Sequence, residues 1–407
     1  MLLVVMIVAM MAFIFIGSQM IQNSASNSKF QLNVTVQADN VARAGLTDAI
    51  NWFRNQVTQP VRSTANPALY PYPDAAFAPI ASSGDTIDTN CTSPSWSGCT
   101  GLVKEYPIGE NSSLTAHYEV LRQNDPSSNP VNSDAVHDIT GERISGHVAG
   151  EGLAWYVECI GTVYEQLDPS RAYNVAPNRI VGTSKVATEI RRVALTLPAN
   201  AAVIINNRHL ATIQTNGRIA GGTGNIGLGY FTGSSGPNIS GSGAQCTGTY
   251  PTANITTSST TAVNFQQIFG LNPQDMKLMA DIDVNGTSAM PANYPAMAIV
   301  YFEQSATFPV SNPLQGGGIL YVNGDLTLSS GSQPLFSGVI YVNGNVTITG
   351  DSLISGALIV TGSLTLNGTS GGVAQVQYDN TIINSVRQQV GIYRENKAAF
   401  YTFSATQ

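Results

Sequence analysis

The first sixteen residues, MLLVVMIVAMMAFIFI, carry no polar side chain, and no charge appears until Lys29. The pattern then changes. Phe30, Val34, Val41, Leu46, Ile50 and Phe53 recur at helical spacing among Gln, Asp and Arg. No proline interrupts this run before Pro60. The pattern predicts one helical stretch to about Val57, its first half apolar and its second half amphipathic. At the rise of an α-helix such a rod is roughly 80 Å long. A single globular domain has little use for it; a subunit held in a membrane and later packed into a filament has.

The next segment, residues 58–101, is rich in Pro, Ala, Ser, Thr and Tyr and reads as a surface loop. Beyond it, LTAHYEVL (114–121), GLAWYVECIGTVY (152–164) and EIRRVALTL (189–197) are enriched in β-branched and aromatic residues and read as strands. An antiparallel sheet laid on the amphipathic half of the helix follows from these elements.

From about Asn200 to Tyr378 the clearest feature is an internal repeat. GILYVNGDLTL begins at Gly318, GVIYVNGNVTI at Gly338 and GALIVTGSLTL at Gly356. Apolar residues match across the units: Leu320, Ile340 and Leu358; Val322, Val342 and Val360; Leu326, Val346 and Leu364; Leu328, Ile348 and Leu366. Stacked, they form internal ladders, as in a solenoid whose single repeat cannot bury a core alone. Asn-Gly is also a strong hairpin signal, so three successive hairpins are the rival arrangement. The strand partner of Val342 decides between them: Val322 and Val360 in a parallel coil, its own repeat in a hairpin.

VIINNRHLATIQTNGRIAGG (203–222) reads as an earlier, less regular coil, and 222–252 as a long Gly/Ser/Thr insertion. NFQQIFGLNPQDMKLMAD (264–281) reads as short helices broken at Asn272-Pro273, and Tyr378 to about Asn396 as a closing helix. Phe400, Tyr401 and Phe403 then anchor the tail. The expected organisation is a helix (1–57), an α+β domain (58–199), a β-solenoid (200–378) and a closing helix with tail (379–407). The fold class is α+β, mostly β.

Composition narrows the function. Only 11% of residues are charged and the net charge is −7, against about 25% charged residues in ordinary soluble proteins. No basic run offers a nucleic-acid surface, and no nucleic-acid partner is expected. Four cysteines suit an oxidising compartment. Cys91 and Cys99 bracket the loop TSPSWSG and read as a disulfide-closed turn. Cys159 with Cys246 is the second expected pair, with buried free thiols as the alternative for each.

Candidate chemistry is sparse. GGTGNIG (221–227) contains GxGxxG but lacks a following helix pattern, and GTSGG (368–372) lacks a strand-to-helix elbow. No HExxH or close histidine pair occurs, and the chain is read as non-enzymatic. DIDVNG matches the first half of a calcium loop through Asp281, Asp283 and Asn285, with Gly286 at the turn. The twelfth position is Ala292, so another segment has to supply the bidentate carboxylate. The alternative is a strand end with solvated carboxylates. Eight Asn-x-Ser/Thr sequons, including Asn33, Asn254 and Asn367, matter only in a host that N-glycosylates.

The apolar start has three readings. A cleavable signal peptide wants a basic n-region and a small-residue cleavage site, and neither is present. A plain membrane anchor needs the span to extend to about Ile21. The third reading rests on the apolar start at residue 1, the weakly polar QNSASNSK (22–29) and the continuation ADNVARAGLTDAINWFRNQ (38–56). Together these resemble the N-terminus of type IV pilins after leader removal, within them the PilX-like minor pilins.

The resemblance implies an inner-membrane stage, processing by prepilin peptidase and extraction by the assembly machinery. It also implies packing against other pilin subunits in an extracellular filament through Met1, Leu2, Leu3, Val4, Val5, Ile7, Val8, Met11, Phe13, Ile14 and Phe15. Major pilins usually carry Glu at the fifth mature position. Here it is Val5, which the resemblance associates with minor or tip subunits. The other expectations are a membrane-anchored adhesin or carbohydrate-binding β-helix protein, and a tip pseudopilin of a type II secretion system, whose body is expected to be more helical.

Overall fold

A computed structural model describes residues 2–55, 60, 100–109, 113–121, 136–144, 147–148, 151–257, 261–286 and 294–404. The chain divides into two compact units, one built around residues 1–143, 147–190 and 399–407, the other around 144–146 and 191–398.

The first unit holds α1 (Leu2–Asn55), β1 (Thr100–Pro107), β2 (Leu114–Leu121), β3 (His137–Asp138), α2 (Thr140–Arg143), β4 (Ala154–Glu165) and β5 (Arg179–Arg192). Its sheet has the order β1-β2-β4-β5, with β3 beside β4; β1, β2, β3 and β4 pair antiparallel.

Side chains of α1 are described over residues 28–54, and this 27-residue stretch of it is amphipathic. Its buried face is built largely from small residues: Ala38, Ala42, Gly45 and Ala49 alongside Val34, Leu46 and Phe53. The sheet answers with glycines. A Cβ on Gly161 would lie 2.4 Å from the Ala38 carbonyl oxygen and the Ala42 nitrogen, and one on Gly182 would lie 2.4 Å from Val34. In the reverse direction, a Cβ on Gly45 would meet the Cys159 sulfur at 2.5 Å. At Gly161 helix and sheet are therefore in backbone-level contact, and at Gly182 and Gly45 the missing side chain leaves room for a side chain of the other layer. Phe53 packs on Trp155 at 5.2 Å, and the Tyr118 hydroxyl donates to Asp48 at 2.5 Å.

The second unit contains β6 (Ala201–Asn207), β7 (Ala211–Ile213), β8 (Gly217–Ala220), β9 (Ile226–Thr232), β10 (Asn238–Ile239), β11 (Gln245–Thr247) and β12 (Tyr250–Asn254). Two short helices follow, α3 (Phe265–Phe269) and α4 (Pro273–Met279), the latter capped by the Asn272 side chain. Next come β13 (Ile282–Val284), β14 (Ala298–Phe302), β15 (Ala306–Phe308), β16 (Gln315–Val322), β17 (Leu326–Leu328), β18 (Leu335–Val342) and β19 (Val346–Thr349). The unit ends with β20 (Ser352–Val360), β21 (Leu364–Asn367), β22 (Ala374–Tyr378) and α5 (Asn380–Gln389). The last strand, β23 (Tyr393–Ser404), follows β5 in the sheet order of the antiparallel layer.

The second unit is a parallel coil. Val342 pairs in parallel with Val322 on one side and Val360 on the other. Leu320, Ile340 and Leu358 stack in one register, and all are buried. Three successive hairpins are therefore not what the chain adopts. Matching apolar positions at equal register bury one another, whereas hairpins would set apolar Val342 against polar Asn345.

The order of coils departs from the order of the chain. The first half of β20 is followed in the stack by β22, through Ser352↔Ala374 and Gly356↔Tyr378. Its second half is followed by β6, through Leu358↔Val203 and Val360↔Ile205, and β21 is followed by β7. One turn of the solenoid is thus composite, made of β22 from the end of the unit and β6–β7 from its beginning. Further turns, β8–β9–β10 and then β11–β12, stack on it in parallel.

Several expectations are corrected. The chain is mostly β, 46% strand against 19% helix, and no helix among the described residues is long and apolar enough to cross a membrane. The expected α+β class headed by a long apolar pilin-type helix gives way to a mostly-β fold whose described helical stretch, residues 28–54, is amphipathic and packs on the sheet. The segment 203–222 stacks after the last repeat rather than before the first. The 222–252 stretch is not an insertion, because β9 to β12 run through it. The closing helix ends at Gln389, and the chain beyond it is strand. Tyr401 and Phe403 are exposed rather than anchoring, with Lys185 lying 5.2 Å from the Phe403 ring centre.

Candidate functional site

The two strand rows of the solenoid meet different surroundings. Strands of the GILYV type read as continuous buried runs, as strands covered on both faces do. Their outer face carries a stack of Tyr301, Tyr321 and Tyr341, with ring centres 4.6 and 5.7 Å apart. Phe265 of α3 packs edge-on to the rings of Tyr321 and Tyr341, and α5 lies against β18 and β20.

Strands of the LTL type alternate between buried and less buried positions, and no helix among the described residues makes an extensive contact with them. Their outward position is threonine in five adjacent turns. Thr307, Thr327, Thr347, Thr365 and Thr212 pair in unbroken register. Adjacent strands lie about 4.8 Å apart, so these side chains repeat at that interval along the coil. None of the five hydroxyls has a hydrogen-bond partner among the described residues.

The row beside them is internally satisfied. The Asp325 carboxylate accepts from the Asn345 backbone at 2.7 Å, and the Asn345 side-chain oxygen accepts from Ser363 nitrogen at 2.9 Å. At the neighbouring corner the Asn343 amide donates to Asn323 at 3.1 Å. These ladders use the polar side chains of the turns, whereas the threonine hydroxyls of the adjacent row are left without partners among the described residues.

A second cluster lies on the outer face of the antiparallel sheet. Glu105 on β1 stands opposite His117 on β2, and Glu119 follows two residues along the same face. His117 Nδ1 is 2.8 Å from Glu105 and Nε2 is 2.7 Å from Glu119. The imidazole is buried, and Tyr173 stacks on it with ring centres 4.0 Å apart. Burial opposes the charged form of His117, but the two carboxylates outweigh it and leave the pKa above its ordinary value. Burial, and then the Glu119 charge, push the Tyr173 phenol up. Because each carboxylate takes a different ring nitrogen, the three groups do not converge on a common point. Among the described residues no group of three or more His, Cys, Asp or Glu is arranged to hold a metal ion. Sequence reading missed this cluster; the alternation His117-x-Glu119 was visible, but the third member arrives only through pairing with β1.

The calcium candidates are not gathered into a shell. Asp281 accepts from Arg394 at 2.5 Å and from the Ile299 backbone at 2.8 Å. Asp283, on β13, lies 3.8 Å from Lys277, which also pairs with Glu303. Asn285 is exposed just after the strand. The extended backbone spreads the three residues where a calcium loop would curl them inward, and cations of the protein occupy the two carboxylates.

Cys159 and Cys246 are both free thiols, so the expected bond between them is corrected. Burial pushes the Cys159 thiol well up and the Cys246 thiol to about 11. Both are therefore poor nucleophiles at neutral pH. Cys91 and Cys99 lie outside the described residues. So do the side chains of Met1, Leu2, Leu3, Val4, Val5, Ile7, Val8, Met11, Phe13, Ile14 and Phe15. GGTGNIG joins β8 to β9 and GTSGG joins β21 to β22, so both glycine motifs are strand-to-strand turns.

No curated protein and no solved structure matches the chain. Residues 297–369 match a family described as a domain of unknown function, DUF8470. That stretch is β14 to β21, the four most regular turns of the solenoid, and it contains four of the five threonines of the uncovered row.

Proposed function

We propose that the chain is a non-enzymatic structural subunit of an extracellular filament of the type IV pilus kind. In this reading the apolar sequence 1–16 passes through the inner membrane stage and then packs against other pilin subunits. Prepilin peptidase and the inner-membrane assembly machinery are its processing partners, and the solenoid is displayed outside the cell. The observation that carries the reading is the seam between α1 and the sheet. The amphipathic stretch of α1 that follows the apolar sequence is held at backbone distance by Gly161 and packs its Val34 side chain against Gly182, so a pull on the N-terminal sequence is transmitted to the folded body.

Immunoelectron microscopy with antibodies against the solenoid tests the proposal. Labelled filaments are the expected result, and label confined to the cell membrane refutes it. The threonine row favours a second reading, a surface adhesin that binds a neutral, hydroxyl-rich polymer through that face. It predicts that binding to cells or matrix is lost in Thr327→Lys/Thr347→Lys while the subunit still folds. Undiminished binding removes this reading without touching the first.

A further inference from the structure

The loop of residues 166–178 joins β4 to β5 and places Tyr173 over His117 of the Glu105–His117–Glu119 cluster. The loop keeps its own shape by internal bonds. The Asn178 side chain accepts from the Leu167 and Asp168 nitrogens at 2.8 Å and donates to the Asp168, Arg171 and Ala172 carbonyls. Arg171 pairs with Asp168 and donates to the Ala176 carbonyl. Gln166, at the root of the loop, donates its backbone N–H to Ser113 at 2.8 Å. The loop is thus a preformed piece whose tip rests on an imidazole.

The geometry of that imidazole restricts its charge. Neutral histidine has one N–H and one lone pair, whereas both ring nitrogens here face carboxylate oxygens within 2.8 Å. A neutral ring would point a lone pair at one carboxylate, and two anions would then crowd one buried side chain. Only the imidazolium donates on both sides. The same charge favours Tyr173, since a cation attracts the face of an aromatic ring.

We infer that His117 is a proton-operated latch: charged and clamped between Glu105 and Glu119 it holds Tyr173 and the 166–178 loop on the sheet, and its deprotonation frees them. The groups facing it are Glu105 from β1, Glu119 from β2, Tyr173 from the loop and, at the far side of Tyr173, Tyr164 from β4. No lysine or arginine among the described residues is hydrogen-bonded or ion-paired to either carboxylate to replace the lost charge. Release would leave both carboxylates and two tyrosines on one acidic, aromatic patch.

The direction of the pH dependence follows from the raised folded-state value of His117. The stabilisation is complete below the ordinary histidine value and is lost as pH rises through the folded one. Hydrogen exchange of the full-length chain between pH 6 and 9.5, corrected for intrinsic rates, reads the latch directly. Protection of peptides spanning 166–178 should fall with pH by up to tenfold per unit, the limit for one proton, while β4 stays protected. In Glu105→Gln the neutral ring can accept from the Gln amide and donate to Glu119. The loop should then stay protected across the range, and Glu119→Gln should behave alike. Flat protection in the wild-type chain, or an unchanged pH step in Glu105→Gln, overturns the proposal.

Discussion

Substituting Gly356 by alanine tests the parallel stacking at its tightest point. Gly318, Gly338 and Gly356 open the three repeats and sit in register, each with its neighbour in the next turn. Gly356 has φ of +131°, and a Cβ there would lie 2.0 Å from the Gly338 carbonyl oxygen. The obstacle is backbone belonging to the adjacent turn, so no side chain can rotate away. Strain from the backbone conformation costs about 1–3 kcal/mol, and overpacking a close contact adds about 1–3 kcal/mol.

Gly356→Ala should therefore destabilise the solenoid by about 2–6 kcal/mol. The control is built into the chain. Ala298 occupies the matching position of β14, paired with Gly318, and the ladder on its other side begins only at Ile282↔Val300. No paired strand among the described residues backs Ala298, so a side chain is tolerated there, and Ala298→Gly should cost at most ~1 kcal/mol. Urea unfolding, read by hydrogen exchange in β18 and β20 so that the solenoid is followed separately, measures both. If Gly356→Ala changes stability by less than ~0.5 kcal/mol, the range for a neutral surface change, the close-stacking argument is wrong.

Ile340→Asp should unfold the solenoid, because an unpaired charge enters a fully buried ladder. Thr347→Ala, on the outward face of the same turn, should stay within about 0.5 kcal/mol; comparable losses in the two variants would remove the inside–outside assignment. Gly161→Ala should separate α1 from the sheet and cost about 1–3 kcal/mol, checked by exchange of the amides between residues 34 and 50. Val4→Asp or Ile7→Asp should block filament incorporation while the body still folds, because an unpaired charge is expensive in an apolar bundle. Normal filament yield from either variant would count against the proposed function. Deleting residues 1–28 should leave a soluble monomer, to be checked by sedimentation.

Much of the solenoid was legible because its information is local and repeated. Apolar residues at matching positions every 18 to 20 residues can all be buried at once only by stacking in register, and the structure takes that arrangement through Val322, Val342 and Val360. The two strand types also announced their surroundings. GVIYV is apolar on both faces and is covered by helices, while VTI alternates and is not. The amphipathic helix was legible too, although aromatic and aliphatic residues drew attention from the alanines that actually set its distance from the sheet. Phe30, expected on the buried face, is exposed.

The remainder depended on pairings between distant segments, which periodicity does not encode. Nothing in VIINN reveals that it follows GALIV in the stack rather than preceding GILYV. That choice is made by β22 leaving its turn half-built and by β6 and β7 completing it. The Glu105–His117–Glu119 cluster has the same origin, since one hairpin register brings a carboxylate opposite a histidine. Asp281 and Asp283 look like metal ligands in one dimension. In three dimensions Arg394 and Lys277 reach them, because only tertiary packing determines which charge a carboxylate meets.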